Sequence, residues 1–188
     1  MREKGRNDSN MLKKIIIVIS SIFLFFLLYF LQSNVFSWFH IAGIKPNLFI
    51  ILILYMGLFI GKGFGFTMGA IWGVLLDLLC GRIIGINCIM LGVVGWIGGY
   101  LDKKFSKESK LTIILMIFGV TVLFELGICI LQAMFLGSSI SIPFFLRTVI
   151  IEGIYNIILF IIFYPILKKL GYYVQDVFKG NHILTRYF

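Results

Sequence analysis

The chain has 188 residues, of which 60% are hydrophobic and 13% charged, with a mean hydropathy of +1.04 and a formal net charge of +9. A soluble domain carries about 25% charged residues, so a water-facing globular enzyme is excluded, and no polar stretch is long enough to make a second domain. The basic residues stand in tails and short loops beside apolar runs, which reads as membrane-topology signal and contact with anionic lipids, not as a nucleic-acid surface.

Residues 1–14 form a basic tail. The first apolar run, 15–31, follows Lys13 and Lys14 in the order of a signal peptide, but Gln32-Ser33-Asn34-Val35-Phe36 offers a poor cleavage site, so the run reads as an uncleaved span. Further spans are predicted over 47–60, 64–80, 83–101, 111–136 and 148–167. The second and third are short and are split by Gly61-Lys62-Gly63-Phe64-Gly65. Fused into one helix, residues 46–80 would reach about 52 Å, too long for one ordinary crossing. They are read as a tight hairpin, with Pro46 in the first turn of its leading helix. Residues 171–188 mix aromatic with basic side chains and suit either the headgroup zone or the cytoplasm.

The expected fold is therefore an all-α integral membrane protein, with six transmembrane helices filling a membrane domain over 15–170. With both termini in the cytoplasm, every Lys and Arg except Lys45, Arg82 and Arg147 falls on the inner side, as the positive-inside rule requires.

Small and polar residues then stand out. Gly65, Gly69, Gly73, Asp77 and Gly81 recur every four residues, with Gly85 beyond them, and positions four apart share a helix face. Such a seam lets a neighbouring helix approach closely, and the glycines of the 83–101 span make it a plausible mate. Ionisable groups within a bilayer need partners or a wet cavity. Asp77, Arg82, Glu125, Gln132, Arg147, Glu152 and Asn156 are expected to gather toward the outer half, with Glu125 near mid-depth. This group reads as a structural ion-pair network, as a docking site for a partner's helix or stalk, or as a small-molecule pocket. No catalytic grouping accompanies it. Cys80, Cys88 and Cys129 read as apolar fillers, and His40 and His182 lie too far apart to pair, so neither a metal nor another cofactor is expected.

The stretch Lys45-Pro46-Asn47-Leu48-Phe49-Ile50-Ile51-Leu52, then Gly69-Ala70-Ile71-Trp72-Gly73-Val74-Leu75-Leu76-Asp77-Leu78-Leu79-Cys80-Gly81 and Gly85, resembles the rod shape-determining MreD family. Tyr155-Asn156 and Tyr164-Pro165 are similar to that family's C-terminal pattern, and the likeness extends over about residues 11–170. Asn47 stands where the family often has an acid, and the N-terminal tail is longer than usual.

The resemblance implies a non-enzymatic member of the cell-elongation machinery in the bacterial cytoplasmic membrane. Its expected partner is MreC, a bitopic protein with a large external region, and together they would link the MreB filament to peptidoglycan synthases. It also implies a fold similar to the substrate-binding S components of energy-coupling-factor transporters, so a vitamin-binding subunit is the alternative function. Those subunits usually carry A-x-x-x-A on their first helix, whereas residues 15–25 here contain no alanine. A lipid-modifying membrane enzyme is a weaker third reading. Self-association stays open.

Overall fold

The computed structural model describes residues 2–80, 83–102, 109–137 and 141–179, the side chains of 2–10 and 179 excepted. Among them the regular structure is helical, with one isolated bridge, Ile41 to Ile44, in a loop. The helices are α1 (Arg2–Phe30), α2 (Leu48–Ile60), α3 (Lys62–Cys80), α4 (Ile86–Leu101), α5 (Lys110–Leu136) and α6 (Ile142–Lys179), and α1 closes in a π-helical turn over Leu31–Val35.

The breaks have local causes. Between α2 and α3 the chain reverses at Gly61, whose φ of +133° is open to glycine and strained for other residues. Gly85 precedes α4 at φ +114°, which is why that helix starts at Ile86 and not at the first apolar residue after Arg82. Ser109 Oγ caps α5 by accepting the Thr112 N–H, and Gly137 ends it in the left-handed region.

Two helices outrun their apolar stretches. α1 begins at Arg2, and α6 spans 38 residues from Ile142, passing Pro165, Lys168 and Lys169 on its way to Lys179. Lysine ends a hydrophobic run without ending a helix, because its helix propensity is high.

By length and composition, four helices can cross a membrane: Met11–Val35, Lys62–Cys80, Lys110–Leu136 and Ile142–Phe178. The 13 residues of α2 and 16 of α4 span only about 20 and 24 Å, short of a hydrocarbon core of about 30 Å. These two short helices are also the most enclosed. Successive helices alternate in direction, so one end of the bundle carries the Lys45 loop and the other carries Lys62 and Lys110.

α2, α3 and α4 form the centre. Trp72 of α3 is fully buried, and its ring meets Phe25 of α1 and Phe49 of α2 at centroid distances of 5.5 and 6.0 Å. α5 packs on α6 at one side, and Phe23, Leu115 and Ile162 point outward. Bulky apolar side chains on the periphery suit hydrocarbon surroundings, where the helices satisfy their own backbone groups.

Candidate functional site

The seam begins with absent side chains. A Cβ on Gly65 would lie 2.4 Å from the Gly95 carbonyl oxygen, one on Gly69 would lie 2.2 Å from that of Leu91, and one on Gly73 would lie 2.4 Å from that of Asn87. Each step of four along α3 moves four residues back along α4, so the two backbones run antiparallel in direct contact. Gly57 joins from α2, where a Cβ would sit 2.2 Å from the Gly95 oxygen. Sequence spacing singled out the α3 glycines but passed over Gly57. Its signal was the same register, extended upstream through Gly61.

Asp77 lies one step beyond Gly73, with 1% of its surface exposed. Its Oδ2 accepts the N–H of Gly85 at 2.8 Å and of Cys88 at 3.3 Å, while Oδ1 accepts the Asn87 N–H at 3.3 Å and the Asn87 side-chain amide at 2.7 Å. The first turn of any helix has N–H groups without internal partners. At α4 the capping position needs a positive φ, and the glycine there has no side chain to serve them. A carboxylate borrowed from α3 does so, placed where the helix dipole favours negative charge. Arg82 and Gly81, between these elements, lie outside the described residues.

Asn156 of α6 is fully buried and reaches two other helices. Its Oδ1 accepts the backbone N–H of Asn47 at 2.9 Å, and its Nδ2 donates to Thr121 Oγ1 at 3.1 Å. Thr121 in turn donates to the Ile117 carbonyl at 2.8 Å. The neighbouring Tyr155 donates its hydroxyl to the Phe39 carbonyl. Tyr155 and Asn156 thus hold the loop between α1 and α2 at two points, and Lys45 Nζ donates to Ser37 Oγ within that loop. Asn47 contributes through its backbone; its side-chain oxygen is buried without a hydrogen-bond partner.

One turn from Asn156 the carboxyl of Glu152 is buried and lies within hydrogen-bonding reach of Glu125 on α5 and of Asn156 itself. Glu152 Oε1 has no hydrogen-bond partner. Glu125 and Gln132 are half-buried on one face of α5, with the half-buried Ile128 and Cys129 between them. Arg147 is exposed near the start of α6 and does not enter the surroundings of either acid.

The polar residues expected to converge therefore divide between two places. Asp77 serves the α3–α4 seam, while Asn156, which ties α6 to α2 and α5, adjoins the acidic pair of Glu125 and Glu152 between α5 and α6. The basic loop 103–108, the tail beyond 179 and His182 fall outside the described residues. Among the described residues, no group of three or more His, Cys, Asp or Glu could hold a metal ion.

A family model described as rod shape-determining protein MreD matches residues 13–172, which takes in the seam, the Asn156 junction and the acidic pair. No curated protein and no solved structure matches the chain.

Proposed function

Because the chain belongs to the MreD family of rod shape-determining membrane proteins, we propose that it is a non-enzymatic component of the cell-elongation complex, docking an MreC-like bitopic protein and so linking the MreB filament to peptidoglycan synthesis. The observation that carries the docking is the acidic pair. Among the described residues Glu152 Oε1 is an acceptor without a donor, and Glu125 beside it is half-buried. A buried acceptor left alone costs about 1–3 kcal/mol. A basic or hydroxyl side chain on a helix laid against α5 and α6 would supply what is missing.

In this reading the six helices are six crossings with both termini in the bacterial cytoplasm, and the bundle resembles the S components of energy-coupling-factor transporters. The lysines at the Lys62 end then face the cytoplasm, where the positive-inside rule places them. The acidic pair stands nearer the opposite, external end, toward the large external region of such a partner.

Depletion in a rod-shaped host tests the role, and purification in mild detergent tests the partner. Rounded cells and a co-purifying bitopic protein are expected. Cells that stay rod-shaped after depletion refute the proposal.

A further inference from the structure

At the Lys62 end α1 stands away from its neighbours and leaves a groove of about 90 Å³. Ile17 and Leu24 of α1 form one wall, Leu167 and Val174 of α6 the other, and Tyr55 and Phe59 of α2 the floor. Ser20 and Ser21 also line it, but their hydroxyls already donate to the carbonyls of Ile17 and Val18. The surface offered is apolar. A groove of this volume is too small for a helix of about 10 Å diameter but suits a short segment of a linear hydrocarbon chain.

Charge marks its mouth. Lys13 and Lys14 lie one turn from Ile17 on the groove-facing side of α1, whereas the Lys62 ammonium turns away to the Trp96 and Tyr100 rings of α4, 6.0 and 5.2 Å from their centres. Lys14 Nζ sits 5.7 Å from the centre of the Phe178 ring, and that ring lies 4.9 Å from Phe64. These contacts bring Lys14 to the α3–α6 side of the opening. No acidic residue lines the groove.

We infer that this groove is a binding site for an anionic phospholipid, with a segment of one acyl chain lying between α1 and α6 over Tyr55 and Phe59, and the phosphate beside Lys13 and Lys14. The apolar channel selects a lipid and the lysine cluster selects its negative headgroup. The site rests on the membrane placement alone. It holds in either leaflet and with or without the shape-complex partner.

The test is native mass spectrometry of the full chain in mild detergent, titrated with palmitoyl-oleoyl phosphatidylglycerol or with phosphatidylcholine bearing the same chains. Phosphatidylglycerol is expected to bind first and more tightly, weakening by about fivefold for each of Lys13→Gln and Lys14→Gln. Met56→Trp, which fills the groove without changing charge, is expected to displace it. Equal binding of the two lipids, or a phosphatidylglycerol preference that survives the double lysine substitution, overturns the proposal. Should the tryptophan variant fail to fold, the lysine variants, which keep every apolar residue that lines the groove, decide.

Discussion

Asn156 Oδ1 accepts the backbone N–H of Asn47 at 2.9 Å, joining residues 109 positions apart and fixing where α2 begins relative to α6. The same side chain holds Thr121 of α5, so one amide coordinates three helices.

Replacing Asn156 with Ala leaves a buried N–H and a buried threonine hydroxyl short of partners. A loss of about 2–3 kcal/mol is expected, read as a lower unfolding midpoint in detergent. Thr121→Val removes one of these bonds and should cost less. Equal effects would mean that the Asn47 contact adds nothing.

Asp77 is expected to tolerate no replacement well. Asp77→Ala strips the first turn of α4 of its acceptors and should lower stability by about 3 kcal/mol or more, hydrogen bonds to a charged group being worth about 1.5–3 kcal/mol each. Asp77→Asn keeps the shape but turns an NH₂ toward backbone donors, and should fall between Ala and wild type. Asn87→Ala, which loses one side-chain bond of 2.7 Å, should be milder than either. Folded yield and thermal unfolding give the ranking.

The seam predicts opposite outcomes for one substitution at two glycines. At Gly95 a Cβ would sit 2.0 Å from the Gly65 oxygen, so Gly95→Ala must force α3 and α4 apart and is expected to abolish folded protein. At Gly119 nothing lies within 4 Å, and Gly119→Ala should stabilise α5 by roughly 0.5–1 kcal/mol through helix propensity. Comparing folded yields from the same membranes checks both.

Glu125→Gln and Glu152→Gln separate docking from packing. On the docking reading each keeps the monodisperse bundle and lowers recovery of the bitopic partner. Lost expression with no selective loss of partner would assign the pair to packing alone.

Tyr55 is buried, and its hydroxyl has no hydrogen-bond partner. Tyr55→Phe should therefore leave stability unchanged or raise it by about 1 kcal/mol. A clear drop in the unfolding midpoint would reveal a bond that Tyr55 makes in the membrane.

The helices were legible because apolar runs are punctuated by glycine and lysine, and the α3 seam because a four-residue period survives in the letters. What Asp77 does was not legible. Sequence reading weighed Arg82 and Arg147 as counter-charges, yet the atoms that Asp77 serves within the described chain are mostly backbone N–H groups, which every residue except proline carries and no letter announces. The role of Asn47 was hidden for the same reason, since its backbone amide and not the side chain that sequence reading noted meets Asn156. The reach of α6 to Lys179 was hidden by Lys168 and Lys169, which mark the end of hydrophobicity but not of helicity.

The cap on α4 also bears on biogenesis. Among the described residues, the hydrogen bonds that Asp77 receives come from residues 85–88, which leave the ribosome after it. Released alone into lipid, α3 would carry a bare carboxyl and a strip of exposed backbone. The carboxyl of α3 is therefore satisfied only once α4 has been made, and the two helices complete each other as a pair.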